Sequence, residues 1–219
     1  MNRVFLLSPA NCNGVRARWL LHKSGPSALA QRLRSDSGAP IGDVFKFLSA
    51  LYFRGKLTYA VTFARPPEHS MGVAIITPTA GLLPCDAPIG IAQLRGFSRV
   101  PISIKNQRYR TSLCRTAHGF ADQIGPACEV VLLGSIASTK YLNLLLPIFG
   151  ERLRVPAAFI GLGDMSRGGL LLRHVREQRE LDYIAASSIP AVRVPRPHPP
   201  VKAHHQAYRE RPPAQSILD

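Results

Sequence analysis

Four short apolar runs, each followed directly by a loop of small and polar residues, limit most strongly how this chain can fold. The runs cover residues 4–7, 73–76, 129–133 and 157–160. Runs that are short and apolar throughout are typical of strands buried on both faces of a parallel sheet. Helical patterns separate them, at about residues 43–63, 109–124, 138–145 and 166–173. Strands that alternate with helices predict βαβ units, and therefore an α/β fold.

We expect a single α/β domain over residues 1–186, with a mostly parallel four-stranded sheet flanked by helices. Asp43 is the expected N-cap of the first long helix, and residues 177–184 are a candidate edge strand. Right-handed crossovers place the loops after the strands at one edge of the sheet, where open α/β sheets bind ligands. These loops cover residues 8–14, 77–81, 134–138 and 161–169. The sequence therefore predicts one shared site built from distant segments.

The remaining chain, residues 187–219, is Pro-rich and basic, and we expect it to form an extended, flexible tail. The four cysteines are widely spaced without a Cys-x-x-Cys pair, which favours neither a metal site nor a disulfide framework. We therefore expect no metal and no cofactor. The apolar start of the chain is too short for a signal peptide or a membrane span, so the expected location is the cytoplasm.

The charge balance of the chain indicates a polyanionic partner. Its 219 residues include 28 Lys and Arg against 13 Asp and Glu, a net charge of +15. Each phosphate that a basic side chain neutralises releases counterions, so this balance favours single- or double-stranded DNA as the partner. A generic basic surface, or a GC-rich genome that enriches Arg, is the alternative. No long basic amphipathic helix points to a membrane, and no obligate protein partner is indicated.

Two carboxylates follow predicted strands and are candidate catalytic residues, together with one amide. Asp86 follows the second strand-end loop and Asp164 lies in the fourth, while Asn11 lies in the first. An acid repels phosphate, so an acid in a basic groove is better explained by activation of water or by stabilisation of a cationic sugar transition state. The alternative for both acids is helix or turn capping.

Further candidates surround these three residues. Amide side chains donate and accept together and can read a base edge, although Asn before Gly is also common in turns. Helix starts with Gly, hydroxyl and basic residues can bind phosphate, and interleaved aromatic and basic residues can bind nucleic acid. The candidates for substrate binding are Asn13, Cys12, Arg16, Thr77, Tyr52 and Ser135. Those for phosphate binding are Lys140, Ser166, Arg167, Arg54, Lys56 and Arg110.

Two of these candidates have plain alternatives. The helical spacing of Tyr52 makes a core position an equal interpretation. Cys12 has no His positioned by the sequence to activate it, so covalent catalysis by a cysteine is disfavoured.

Three segments carry a resemblance to a known group of proteins. They are LYFRGKLTYA at residues 51–60, IITPTAGLLPCD at residues 75–86, and VVLLGS at residues 130–135 with Lys140 and Tyr141. In order and spacing they resemble the uracil-DNA-glycosylase-like superfamily, in the branch that includes YaaA-type peroxide-stress proteins. The resemblance implies the α/β fold of that superfamily and a DNA glycosylase that flips out a base and hydrolyses its N-glycosidic bond.

Departures from the family pattern bear on the substrate. Ala80 stands where the family has Tyr, and Cys85 separates Pro84 from Asp86. Residues 11–14 and 164–167 stand in place of the motifs of the uracil enzymes. We therefore expect a modified base as substrate, with action on phage DNA as a hypothesis. The alternatives are a non-catalytic DNA-binding stress-response protein of the YaaA kind and a glycosyltransferase that acts on tRNA.

Overall fold

A six-stranded sheet forms the centre of the computed structural model, which describes residues 1–22, 27–135 and 139–189. Its strands are β1 (Arg3–Leu7), β3 (Val73–Thr77), β4 (Gly81–Pro84), β6 (Glu129–Leu133), β7 (Leu153–Pro156) and β8 (Tyr183–Ala185). A separate two-stranded pair joins β2 (Ala39–Pro40) and β5 (Pro88–Ile89). The helices are α1 (Val15–Leu21), α2 (Ala28–Arg34), α3 (Ile41–Phe63), α4 (Ile91–Arg99), α5 (Gln107–Ile124), α6 (Thr139–Phe149) and α7 (Asp164–Arg176).

The order of the large sheet is β4-β3-β1-β6-β7-β8. The four inner strands are parallel, and the two edge strands, β4 and β8, are antiparallel to their neighbours. The prediction of one α/β domain with a mostly parallel sheet is confirmed, whereas the count of four strands is wrong. Both edge strands are four residues or shorter, and segments of that length carry too little alternation to be read as strands.

The fourth predicted strand, at residues 157–160, is also misplaced. The strand there is β7, and a short 3-10 helix, Ala157–Phe159, follows it. Arg154 lies within β7 and interrupts its apolar character, which is why the sequence pattern selected the next apolar residues. The candidate edge strand at residues 177–184 is likewise shorter and later, at β8.

The inner strands β1, β3 and β6 form the core of the fold. Val4 to Leu7 and Val130 to Leu133 have no exposed surface, and helices cover both faces of the sheet. Burial of each such side chain contributes roughly 1.5–3 kcal/mol, which explains why these runs tolerate almost no polar residue.

Helices α3 and α7 cross at unusually close range because both carry glycine at the crossing. A Cβ atom on Gly55 would lie 2.7 Å from the carbonyl oxygen of Gly168. Helix α3 also bends at Ala50, whose φ of 41° departs from helical geometry. The bend and the close crossing together place the start of α7 beside Tyr52 and Lys56 of α3.

Several helix boundaries differ from the sequence-based expectation. Helix α3 begins at Ile41 with Pro40 at the N-cap, so Asp43 lies in the first turn. There its negative charge interacts favourably with the positive end of the helix dipole. Helix α7 begins at Asp164 rather than near Ser166. The short helices α1, α2 and α4 were not predicted.

The described part of the domain ends beyond its predicted boundary at residue 186. Ile189 is buried against the core, so the folded chain continues at least to that residue. The rest of the predicted tail, residues 190–219, and the predicted helix start at residue 138 lie outside the described residues. Within the described ranges, no helix combines the length and apolar character needed to cross a membrane.

Candidate functional site

A cavity of about 300 Å3 lies at the carboxyl edge of the sheet. One wall consists of the loop after β1, with Asn11, Cys12 and Asn13, and an apolar wall is formed by the end of α4 and the residues after it. The first turn of α6 closes the cavity with Lys140 and Tyr141. Its full lining is Pro9, Ala10, Asn11, Cys12, Asn13, Pro78, Phe97, Val100, Pro101, Ile102, Lys140 and Tyr141.

Local hydrogen bonding fixes the loop after β1. The side-chain oxygen of Asn11 accepts a hydrogen bond of 2.9 Å from the backbone N–H of Asn13, which closes an Asx turn. Asn11 and Asn13 are both exposed and line the cavity. Cys12 is buried beneath them, and burial raises the pKa of its thiol to about 12. The thiolate needed for nucleophilic attack is therefore scarce at neutral pH.

Behind Tyr141 lies a buried lysine that contacts the end of β1. The ammonium group of Lys56 donates to the backbone oxygen of Ser8 at 2.6 Å and to its hydroxyl oxygen at 2.8 Å. The same nitrogen lies over the rings of Tyr52, at 4.6 Å, and Phe53, at 4.9 Å. Burial lowers the pKa of Lys56 to about 7, and the charge of Asp164 opposes that shift.

The prediction that Lys56 binds phosphate is therefore wrong. The side chain is 1% exposed and points into the protein. Its hydrogen bonds hold the end of β1, and so the start of the loop that forms the polar wall of the cavity. Tyr52, predicted to bind substrate, is buried as well and forms part of the surroundings of Lys56.

The start of α7 brings an acid and a buried guanidinium to the same edge. Arg167 is 6% exposed, donates to the backbone oxygen of Phe159 at 2.9 Å, and contacts the Asp164 carboxylate at 3.4 Å. Its Nε atom is buried and has no hydrogen-bond partner among the described residues. The Tyr52 hydroxyl lies near this guanidinium without a hydrogen bond of regular geometry.

The Asp164 carboxylate lies close enough to this cluster to act on it electrostatically. Burial raises the pKa of Tyr52 to about 12, and the charge of Asp164 adds to the rise. Burial also raises the pKa of Tyr141, again with a contribution from Asp164, while a hydrogen bond with Ser8 opposes it. Because Tyr141 lines the cavity, the charge of Asp164 acts on the cavity lining, although Asp164 is not itself among the lining residues. Its side chain is 66% exposed, so solvent or a ligand can reach it.

The prediction that Asp86 lies at this edge is wrong. Strand β4 runs antiparallel to β3, so Gly81 pairs with Thr77 and Pro84 pairs with Ala74. The next residue, Cys85, donates to the backbone oxygen of Val73, the first residue of β3. The strand therefore carries the chain back to the amino end of β3, and Asp86 follows there.

Other predicted residues occupy structural or peripheral positions. The Thr77 hydroxyl is buried in the turn before β4, where it donates to Gly81 and accepts from Ala80, which leaves it no role toward a substrate. Arg16 donates to the backbone oxygen of Phe47 at 3.2 Å. Three predicted phosphate ligands are exposed but do not line the cavity: Arg54, Arg110 and Ser166. Ser135 follows β6 and is half-buried.

A second cavity, of about 550 Å3, is larger but less suited to a ligand. It lies between the end of β7, α7 and the segment before β8. The polar groups that line it bond within the protein: His174 contacts the backbone oxygen of Arg179, and Glu180 pairs with Arg3 and Arg65. Among the described residues, no group of His, Cys, Asp and Glu is arranged to hold a metal ion.

Ser8 and Tyr141 were not predicted as site residues, and the buried position of Lys56 was missed. Ser8 directly follows the apolar run of residues 4–7 in β1, a position that often faces a site in α/β folds. Lys56 stands four residues after Tyr52 and three before Tyr59, which places it on their buried helical face. That spacing was the available signal for its burial. Comparison with family models, with curated proteins and with solved structures finds no match for the chain.

Proposed function

We propose that this protein is a nucleic-acid glycosylase that binds one flipped-out base in the cavity at the carboxyl edge of the sheet. One observation carries the proposal: the cavity combines exposed amides, apolar lining residues and a lysine, and the charge of Asp164 acts on the lining residue Tyr141. Its volume is at the lower end of the roughly 300–1,000 Å3 typical of small-molecule sites. That size suits one base better than a larger ligand.

The walls of the cavity supply the contacts that a flipped base needs. The amides of Asn11 and Asn13 donate and accept hydrogen bonds at the edge of the base, and Val100, Pro101 and Ile102 offer an apolar surface to its face. Lys140 also lines the cavity, with its ammonium 5.2 Å from the Tyr141 ring centre, and pairs with a flanking phosphate in this proposal. The net charge of the chain supports a polyanionic substrate.

Asp164 performs the chemical step in this proposal. As the bond between C1′ of the sugar and the base nitrogen breaks, the electron pair leaves with the base and positive charge develops on the sugar. The carboxylate stabilises that charge and accepts a proton from the water whose oxygen bonds to C1′. The departing base takes up a proton, so the products are a neutral base and an abasic sugar. The contact with Arg167 orients the carboxylate.

A matched pair of variants tests the proposal. The full-length chain is incubated with single- and double-stranded DNA carrying unmodified or modified bases, and abasic sites are detected as strand breaks after alkali. Asp164→Asn is expected to lower the single-turnover excision rate by about 100-fold, within the usual range for loss of a general base. Asp86→Asn, at the other end of the sheet, is expected to leave it unchanged. Absence of abasic product on every substrate contradicts the proposal.

A non-catalytic DNA-binding protein is the second candidate, and the exposure of Asp164 favours it. A carboxylate that is 66% exposed in the first turn of a helix, in contact with an Arg three residues later, is also common at helix starts. This candidate predicts DNA binding that weakens with salt, persists in Asp164→Asn, and yields no abasic product with the unsubstituted chain.

A further inference from the structure

Helix α1 carries a large aromatic side chain that the core does not use. Trp19 is 59% exposed and Val15, one turn earlier on the same face, is 53% exposed. The opposite face of α1 packs inward through Ala17 and Leu20, each 1% exposed. The helix is thus already anchored without Trp19. An exposed Trp beside a second exposed apolar residue is typical of a binding surface rather than of ordinary surface composition.

The charge around Trp19 indicates the chemistry of its partner. The first acidic residue of the chain is Asp36, so α1 and the residues on either side of it carry no carboxylate side chain. Arg16 and Arg18 flank Trp19 on the helix, and both are exposed. The contact between Arg16 and the backbone of Phe47 ties this surface to α3. An aromatic ring among guanidinium groups matches a strand of bases joined by phosphates.

The position of α1 relates this surface to the cavity. The helix begins directly after Gly14, at the end of the loop whose Asn11 and Asn13 line the cavity. Trp19 lies six residues beyond Asn13, on the helix into which the cavity loop leads directly. A strand with one base in the cavity can continue along α1 and bring a neighbouring base to Trp19.

We propose that α1 is a stacking platform for unpaired nucleic acid, with Trp19 against a base next to the one in the cavity and Arg18 on the adjoining phosphate. The inference rests on the proposed function and names its substrate class: single-stranded or locally unpaired nucleic acid. A fully paired duplex does not expose the face of a base at this position, so it binds less well.

The chain offers a direct optical test because Trp19 is its single tryptophan. The full-length protein is titrated with a 12-nucleotide single strand, with the duplex of the same sequence, and with heparin, a polyanion that has no bases. Stacking predicts strong quenching of the Trp19 emission by the single strand, less by the duplex, and little by heparin even when heparin is bound. Binding is followed independently by anisotropy of a labelled strand.

Substitutions separate stacking from charge. Trp19→Ala is expected to weaken binding of the single strand about ten-fold, as loss of one stacking partner usually does, and Trp19→Phe to recover most of the affinity. Val61→Ala removes another exposed apolar side chain, 60% exposed on α3, and is expected to change nothing. Arg18→Gln is expected to lower the affinity for the single strand, the duplex and heparin alike, and to reduce the salt dependence of binding.

Several results would overturn the inference. Binding of the labelled strand without a change in Trp19 emission excludes stacking, and so does unchanged affinity in Trp19→Ala. A dimer that dissociates in Trp19→Ala, seen by light scattering, assigns the face to a second copy of the chain. The excision assay distinguishes this inference from the proposed function. Quenching without excision supports the platform alone, and excision without quenching supports the glycosylase alone.

Discussion

The two ends of the central strands use polar residues in opposite ways. At the amino ends, Arg3 opens β1 and Glu129 opens β6, and their side chains are joined by hydrogen bonds of 2.6 and 2.9 Å. Arg3 also contacts Glu180 at 2.5 Å, and Arg65 pairs with the same carboxylate. At the carboxyl ends, Asn11, Asn13 and Lys140 line a cavity.

The comparison of the two ends separates residues that stabilise the fold from residues that are available to bind a ligand. Buried polar groups normally find partners inside the protein. Arg3 and Glu129 do so at the amino ends, although Nε of Arg154, 3.5 Å from Glu129, makes no hydrogen bond. The carboxyl edge keeps features that cost free energy: a fully buried lysine, an unpartnered guanidinium nitrogen on Arg167, and the non-helical backbone of Ala50. Such features concentrate at functional sites, where other packing sustains them.

The largest expected effect on stability lies at the amino ends. Glu129→Gln removes the negative charge that pairs with Arg3 and leaves that guanidinium partly unpaired near the core. We expect the free energy of unfolding to fall by about 2–3 kcal/mol, measured by urea denaturation, while DNA binding is unchanged. Glu177→Gln is the control, because its pair with Arg179 is exposed and should contribute less than about 1 kcal/mol. A loss of DNA binding in Glu129→Gln would contradict the assignment of stability to the amino ends and of binding to the carboxyl ends.

The next effect concerns the polar wall of the cavity, where we expect a loss of activity with little loss of stability. Asn11→Ala removes an amide that we assign to reading the base, and it opens the Asx turn to Asn13. We expect kcat/KM for excision to fall about ten-fold, with less than about 1 kcal/mol lost in stability. Asn2→Ala removes an exposed amide at the amino ends and is expected to affect neither quantity. Equal activity of the two variants would argue against a role for the wall.

The buried lysine gives an effect of about 1 kcal/mol per pH unit, visible as a pH dependence of stability. The pKa of Lys56 is about 7 in the folded protein against 10.5 as its ordinary value, because burial disfavours the charged form. Between these values the unfolded chain binds a proton that the folded chain does not, so stability rises with pH. Below pH 7 Lys56 is protonated in both the folded and the unfolded chain, so it no longer makes stability depend on pH.

Comparison with a neutral variant isolates this contribution. From pH 7 to 9 we expect the unfolding free energy to rise relative to Lys56→Met by roughly 1 kcal/mol per pH unit. Lys46→Met, at a half-exposed pair with Asp43, is expected to follow the unsubstituted protein. If the unfolding free energy rose equally with pH in the unsubstituted protein and in Lys56→Met, the pKa of Lys56 would be the same in the folded and unfolded chain. That result would contradict the burial of its ammonium group.

The sequence predicted the centre of the sheet better than its edges. Strands β1, β3 and β6 begin and end within one residue of the apolar runs, because burial on both faces excludes polar residues there. Strand β7 was missed since Arg154 interrupts it. Helix α1, with only seven residues, is too short to show a clear apolar period.

The site was predicted in part, and the errors have tertiary causes. The structure brings Asn11, Asn13 and Lys140 to one cavity because parallel strands deliver their following loops to one edge. Asp86 fails to arrive there because β4 turns back antiparallel after only three residues. Lys56 is buried because Gly168 allows α7 to pack closely on α3, a contact between segments more than a hundred residues apart that no local pattern shows.

Hydrogen exchange of the full-length protein tests most directly the claim that the carboxyl edge, and not the amino edge, receives nucleic acid. With a saturating single-stranded oligonucleotide, we expect slower exchange of the backbone amides in residues 10–19 and 161–167. The segments around Arg3, Glu129 and Glu180 should exchange as in the free protein. Protection confined to those amino-end segments, or no protection at residues 10–19, would contradict the assignment of the site.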